Sequence, residues 1–281
     1  MNGGAIVVLS IAITACSLES RQADVGTYLP STDGGAGGSG LIGIGDARTD
    51  GSTRPPAVTL TMYVRDFKRY DAKDPTTNPA FDNGPCERGV VASLLGDDGK
   101  PVYQTPTSVT PTFGKKFFDQ WYSDVPGTNV RVTYPLTVTL TSDGQYEYDS
   151  QKSGMIDTVT GVTRHAFFPI DDDTPYATSF GNQGAAHNYA FTGELHTVFT
   201  HVADGGSLRF RSDDDLYVFI DGKLVIDLGG THVPLRGEVN TDQLGLTLGR
   251  DYALDLFYAE RMGANADLLI TTSFELRPIV N

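Results

Sequence analysis

Alternating apolar and polar residues mark most of the strands that this chain is expected to form. In YALDLFY, Tyr252, Leu254, Leu256 and Tyr258 share one face and Asp255 lies on the other, because successive side chains of a strand point to opposite sides. Similar patterns of apolar residues predict strands over residues 58–67, 136–140, 146–148, 190–201, 208–211, 216–220, 223–228, 252–258 and 268–276.

The segments between these strands predict turns more often than helices. Asp221-Gly222 separates two apolar runs and predicts a two-residue hairpin, since a type I′ turn needs positive φ at both central positions. Helical patterns are scarce: residues 115–123, KKFFDQWYS, could form one short helix, whose Trp121 is interpreted as a core residue rather than a binding platform. Many short strands with Gly- and Pro-rich connections predict an all-β sandwich or barrel, as a single domain over residues 57–281.

The first part of the chain has the composition of a targeting segment and a tether. The apolar run in residues 1–15 is too short to span a bilayer and has the length of a signal-peptide apolar region. Its end, Ile13-Thr14-Ala15-Cys16, resembles a bacterial lipobox. We therefore expect an exported surface or outer-membrane lipoprotein acylated at Cys16, with a plain secretory signal or a short buried strand as the alternatives. Residues 16–56 are rich in Gly, Ser, Thr and Asp, which predicts a flexible tether.

Charge and cysteine content narrow the classes of partner. The net charge of -14 over 281 residues argues against a nucleic-acid partner, because that affinity comes from Lys and Arg. An acidic surface suits hard cations and an extracellular setting. The two cysteines, Cys16 and Cys86, do not form a disulfide framework. If Cys16 is lipidated, Cys86 has no partner within the chain and is expected to be a small buried side chain.

Three consecutive carboxylates, Asp213, Asp214 and Asp215, lead directly into the apolar run 216–220. In a regular strand Asp213 and Asp214 would diverge, and one would face the core unpaired at a high energetic cost. Calcium would remove both this cost and the mutual repulsion, since it takes several carboxylate oxygens in flexible geometry. The chain must then break the strand alternation through a bulge or a cis peptide. The alternative is a structural polar network in which Arg261 pairs with one of these aspartates.

Several further segments carry a resemblance to a known family. They are RDF at 65–67, LGDDGKPVY at 95–103, FDQWYSDVPG at 118–127, FFPID at 167–171, HNYAFTGELHTVF at 187–199, DLGGTH at 227–232 and FYAER at 257–261. In this order, over about residues 58–276, the sequence resembles the fibro-slime branch of the PA14 superfamily. The resemblance implies a PA14-like β-sandwich or barrel. In lectin-like members it also implies a calcium site on a cis Asp-Asp pair, at which the ion binds vicinal sugar hydroxyls.

The resemblance also assigns site residues by position. It implies Asp213 and Asp214 as metal ligands, and the loop at 259–267 supplies Glu260 as a third. The further ligand-binding candidates are Asn265, Asp267, Asp215 and His232. The structural alternatives are a turn cap for Asp215, a loop residue bound by the backbone for His232, and hydrogen bonds from turn N–H groups to Asp227.

No enzyme motif is evident. The histidines form no HExxH, no GxSxG or P-loop is present, and nothing singles out Glu194 and Glu260 as a glycosidase pair. We therefore expect no catalytic activity and favour a calcium-dependent lectin or adhesin that binds carbohydrate or polysaccharide. The membrane would be a partner only through the lipid anchor. The alternative is a structural domain that binds extracellular matrix proteins, in which calcium only stiffens loops, and a polysaccharide hydrolase is the third possibility.

Overall fold

A computed structural model describes residues 54–81, 88–105, 114–153, 155–156, 163–202, 206–261, 263 and 265–279. The expected signal peptide, Cys16, Cys86 and nearly all of the expected tether lie outside these residues and stay predictions. Neither helix in the described part of the chain has the length and hydrophobicity needed to cross a bilayer.

Short strands account for most of the regular structure. They are β1 (Ala57–Phe67), β2 (Val91–Leu95), β3 (Pro101–Tyr103), β4 (Asn129–Leu140), β5 (Tyr146–Asp149), β6 (Met155–Ile156), β7 (Thr163–Arg164), β8 (Phe191–Thr200), β9 (Ser207–Asp213), β10 (Asp215–Ile220), β11 (Lys223–Leu228), β12 (Leu235–Asn240), β13 (Asp251–Glu260), β14 (Asp267–Thr272) and β15 (Leu276–Pro278). The helices α1 (Gly114–Phe118) and α2 (Ser150–Ser153) are short, as are the 3₁₀ turns Pro79–Phe81 and Thr241–Leu244.

All of the strands except the small β6–β7 ribbon form one antiparallel sheet. Its order is β12-β9-β14-β5-β4-β1-β8-β13-β10-β11-β2-β3, with β15 also paired to β8. The sheet curls on itself, so that β12 at one edge comes close to β11 near the other edge. A Cβ placed on Gly237 of β12 would lie 2.7 Å from the Ile226 side chain of β11. The all-β fold expected from the sequence is therefore confirmed.

The predicted hairpin between β10 and β11 is also confirmed. Asp221 and Gly222 both have positive φ, 51° and 74°. Two other expectations were wrong in their bounds. The helix expected over residues 115–123 ends at Phe118, and the strand expected over 268–276 is divided into β14 and β15. The strands β2, β3 and β12, which lie toward the two ends of the sheet, were not predicted.

Apolar residues cover both faces of the central strands. Inside the curled sheet, Tyr252, Leu254, Leu256 and Tyr258 of β13 pack in one core. On the outer face of the same strand, Phe257 joins a second cluster with Trp121, Tyr122, Phe118, Phe81 and Phe219. Trp121 is thus a buried core residue, as interpreted from the sequence, and β13 is held from both sides.

Charged side chains form a network on the outer face, beside the second cluster. Glu194 of β8 accepts hydrogen bonds from Arg65 at 2.7 Å, from His196 at 2.7 Å and from Lys100. His196 also contacts Asp255 at 2.6 Å. Lys100 lies between β2 and β3, so Glu194 ties this hairpin to the sheet. Successive side chains of β8 point to opposite faces of the sheet, so Glu194 points away from the inner core that its neighbour Leu195 joins. Glu260 lies two residues after the inner-facing Tyr258 on β13 and therefore points to the inner face. The two glutamates therefore do not face a common cleft.

The ionisation of His196 couples this network to stability. Burial opposes the charge, but hydrogen bonds to Asp255 and Glu194 raise the pKa of His196 from 6.5 to about 9. Burial also opposes the charge of Glu194, yet His196 and Lys100 lower its pKa to about 2. A raised histidine pKa gives stability that is complete below the unfolded value and is lost as pH rises through the folded value.

We expect His196→Gln to flatten the loss of stability between pH 6.5 and 9. The free energy of unfolding of the parent should fall by about 3 kcal/mol across this window, and that of the variant should not. Urea unfolding in EGTA at several pH values measures the difference, and His165→Gln, at an exposed position, is the matched control. Parallel pH profiles for parent and His196→Gln would contradict the assignment of the charge to this network.

Candidate functional site

The aspartate run lies where the chain crosses between two separate parts of the sheet. Asp213 ends β9, which pairs with β12 and β14, and Asp215 begins β10, which pairs with β11 and β13. The Asp213–Asp214 peptide bond is cis. The register pairs Asp215 with Ala259, so Glu260, the last residue of β13, lies beside Asp214. Strand pairing therefore brings the end of β13 to the aspartate run.

Three carboxylates converge at this crossing. One oxygen each from Asp213, Asp214 and Glu260 lies within 4.8 Å of the others, and all three side chains are buried. Two oxygens bound to the same Ca²⁺ lie within about 5 Å of each other, since each Ca–O distance is about 2.5 Å. The donor set is all oxygen and carries a high negative charge, which is the chemistry that Ca²⁺ prefers. These residues therefore fit a calcium ion.

Backbone groups and one tyrosine hold the three carboxylates in place. Asp214 accepts hydrogen bonds from the main-chain N–H of His232 at 2.8 Å and of Arg261 at 3.2 Å, one on each oxygen. The Tyr258 hydroxyl donates to the carbonyl of Asp213 and lies 3.3 Å from Glu260 Oε2. These contacts orient the carboxylates, and no Lys or Arg of the described residues forms an ion pair with Asp213 or Asp214.

Burial shifts the proton affinities of both aspartates. It raises the pKa of Asp213 to about 8, with the negative charges of Asp214 and Asp267 adding to the effect. Burial and the charge of Asp215 raise the pKa of Asp214 to about 6, although Arg261 and the His232 N–H oppose this shift. Both shifts penalise the charged form, as expected where buried carboxylates crowd together. A bound cation would remove this penalty.

Asp215 has a different environment from its two neighbours. Its carboxylate accepts hydrogen bonds from Arg261 Nε at 2.6 Å, from the Gly230 N–H at 2.6 Å and from the Tyr217 hydroxyl at 2.9 Å. The Arg261 guanidinium also lies 4.9 Å from the centre of the Trp121 ring. The ion pair considered as an alternative to calcium therefore exists at Asp215, while Asp213 and Asp214 stay outside it. The turn-cap interpretation of Asp215 agrees with its bond from Gly230.

The remaining candidates lie near the site without adding side chains to the carboxylate group. Asp267 is paired with Asp213 across β9 and β14, but its carboxylate binds Arg211, Ser150 at 2.8 Å and Gln151 at 3.1 Å. The His232 ring contacts the carbonyls of Val233 and Leu228, at 3.0 and 2.9 Å. Asn265 is exposed in the loop before β14. Asp227 accepts hydrogen bonds from the N–H groups of Gly229 and Gly89, as part of the turn after β11.

Four contributors to the site were missed by the sequence interpretation. The main-chain N–H groups of His232 and Arg261, the Tyr258 hydroxyl and the Arg211 guanidinium all shape it. Strand parity could have indicated Tyr258, which lies two residues before Glu260 on the same strand. Arg211 likewise lies two residues before Asp213 on β9. The two N–H groups belong to loops whose approach to Asp214 depends on tertiary structure.

The all-β fold agrees with that of a PA14-like domain. Residues 170–277 match the family model described as the PA14 domain, and the match supports the PA14 superfamily. It includes every site residue from Asp213 to Asp267.

The relatives that the chain resembles are much longer proteins. It is 34% identical to Protein psiQ of Dictyostelium discoideum over 201 residues, which are 69% of this chain and 19% of psiQ. It is 36% identical to Protein psiD of the same organism over 232 residues, or 78% of this chain and 42% of psiD. The chain therefore spans about a fifth to two fifths of these relatives. Among solved structures, the PA14 domain of the MpAFP antifreeze protein matches with a TM-score of 0.33 and 8% identity, covering 82% of this chain and 96% of that one.

Loss of the negative charge at Asp213 and at Asp215 should have opposite effects on the stability of the protein. We expect Asp215→Asn to lower the free energy of unfolding by about 3 kcal/mol, because it leaves the buried Arg261 without its counter-ion. Asp213→Asn should keep or raise stability in EGTA, because it removes a buried, repelled carboxylate. Urea unfolding of both variants in EGTA measures this. Equal destabilisation by the two substitutions would show that Asp213 belongs to the structural network instead.

Proposed function

We propose that this protein is a calcium-dependent carbohydrate-binding module of an exported, surface-anchored adhesin of the fibro-slime type. The observation that carries the proposal is the convergence of Asp213, Asp214 and Glu260 within 4.8 Å. The PA14 match over residues 170–277 supports it. Export and lipid anchoring at Cys16 are proposed from residues 1–16 of the sequence alone.

The side chains would divide the work of binding between charge and orientation. Asp213, Asp214 and Glu260 would hold the ion, and the N–H groups of His232 and Arg261 would keep Asp214 aimed at it. Calcium, when bound, supplies coordination positions beyond those three carboxylates for a pair of vicinal sugar hydroxyls, because it accepts about six to eight oxygens. The Arg261–Asp215 pair would keep the third aspartate of the run out of this group.

The sugar itself would be selected by the loops around the ion. The described loop residues after β13 include exposed Gly263 and Asn265, and both lie near the end of the strand that carries Glu260. A contact of this size gives weak affinity for one site. Many copies on a surface would raise the avidity.

We expect Asp214→Asn to abolish both calcium binding and calcium-dependent sugar binding. The substitution removes one of the three converging charges, and the amide oxygen can still accept one of the two backbone hydrogen bonds. Calorimetric titration with Ca²⁺, followed by glycan-array binding with and without EGTA, measures the two effects. Asp221→Asn in the β10–β11 hairpin is the matched control, since asparagine tolerates positive φ. Glycan binding that neither EGTA nor Asp214→Asn reduces would exclude this mechanism.

A structural role for the ion is the second candidate, and burial favours it. Asp214 is 2% exposed and Glu260 is 0% exposed, so the protein itself could enclose an ion there. The domain would then mediate protein–protein contact, for example with extracellular matrix proteins, and calcium would stiffen the crossing. Thermal melting separates the two functions: stabilisation by Ca²⁺ with no further response to any sugar of a broad panel supports the structural role.

A further inference from the structure

A cavity of about 210 Å³ lies next to the acidic site but is lined by other residues. It opens between the end of β1, the loop after β13 and the long connection at residues 165–190. Its walls include Phe81, His187, Tyr189, Ala185, Arg261 and Gly263. Arg261 joins the two sites, because its main-chain N–H binds Asp214 and the residue also lines the cavity.

Buried polar contacts fix the wall that the long connection contributes. The carboxylate of Asp171, which is 0% exposed, binds His187 Nδ1 and the Asn188 N–H, both at 2.7 Å. The Asn188 amide donates to Asp66 of β1 at 2.8 Å. Long connections without regular structure are commonly binding loops when they are ordered. The cavity is therefore preformed, as small-molecule sites usually are.

Gln183 provides a second attachment of the same wall. Its amide donates to the carbonyl of Phe67 at 2.8 Å and accepts from the Arg69 N–H at 2.6 Å. The connection is thus bound to the last residue of β1 and to the loop after it. Side chains that line the cavity are held by the sheet rather than by the loop alone.

The walls combine an aromatic corner with polar groups. His187 is stacked on Phe168, with ring centres 4.1 Å apart, and Tyr189 stands at 90° to His187. Because Nδ1 of His187 faces Asp171, its Nε2 is the ring atom left for a ligand, and it forms no hydrogen bond with the described residues. Aromatic faces beside planar polar groups suit a ligand with one apolar face and several hydroxyls.

Size limits the ligand to about one ring. Pockets for drug-sized molecules enclose about 300–1,000 Å³, which exceeds this cavity. The charge of Arg261 is already balanced by Asp215, and that of Asp171 faces His187. An uncharged ligand therefore suits these paired charges better than an anion or a cation, and its hydroxyl oxygens could also accept hydrogen bonds from Arg69, which lines the cavity as well.

We propose that this cavity, formed around His187 and Tyr189, binds a single uncharged pyranose ring without a metal ion. The choice of a carbohydrate rests on the proposed function, but the site uses none of the three converging carboxylates. The protein would then have two adjacent sugar sites, one dependent on calcium and one independent of it.

The test measures binding of methyl glucoside, galactoside, mannoside, xyloside and N-acetylglucosaminide to the full chain by saturation-transfer NMR in excess EGTA. Ala185→Trp should fill the cavity and weaken the EGTA-resistant binding by about tenfold or more. Ala186→Trp is the matched control, because Ala186 is exposed and does not line the cavity. Tyr189→Leu, which removes one aromatic wall, should weaken the same binding if Ala185→Trp fails to fold.

The outcomes separate this site from the calcium site. EGTA-resistant binding that Ala185→Trp or Tyr189→Leu weakens, and that Ala186→Trp leaves unchanged, supports the proposal, even if no calcium-dependent binding is found. Absence of EGTA-resistant binding across the panel overturns it, even if calcium-dependent binding is strong. Equal binding by Ala185→Trp, Tyr189→Leu and Ala186→Trp also overturns it.

Discussion

The ion pair between Arg261 and Asp215 is the interaction on which the site depends. Three adjacent aspartates would repel one another in a buried position, and Arg261 neutralises one of them inside an aromatic cluster that includes Trp121. The same residue gives its main-chain N–H to Asp214. One arginine thus separates the run into a structural aspartate and two that form no ion pair with a Lys or Arg of the described residues. That separation lets Asp213 and Asp214 converge with Glu260 instead of joining the salt bridge.

The sheet supplies the geometry that the aspartates need. β9 and β10 follow one another in the chain but lie in different parts of the curled sheet, and β13 and β14 border the same crossing. Since apolar clusters hold β10 and β13 from both faces, Glu260 has little freedom at the end of its strand. The site is therefore a product of strand order, and its precision comes from packing remote from the carboxylates themselves.

Much of this could be predicted from the sequence, and the exceptions have physical reasons. The alternation of apolar and polar residues in β13 and the Asp221-Gly222 turn are local signals, and the predictions made from both were correct. The helix at 115–123 ends early because the chain continues in tighter turns, in which the N–H groups of Gln120 and Trp121 bind the carbonyls three residues earlier, of Phe117 and Phe118. The strand at 268–276 breaks where the Phe274 N–H binds the Thr272 hydroxyl. The environment of Asp267 depends on Arg211 and on Asp149 of β5, a meeting of distant segments that no local pattern encodes.

The strand register has a consequence for how the domain would be presented. Ala57 pairs with Thr139 at one end of the sheet, where Arg54 binds the carbonyl of Gly144, and Leu276 pairs with Phe199 at that same end. Glu260 pairs with Phe191 at the other end of β8, about 30 Å away for ten strand residues. The described chain therefore enters the sheet, at Arg54, near the pole opposite the acidic crossing. A support attached at that pole would hold both sugar-binding candidates outward, toward whatever approaches.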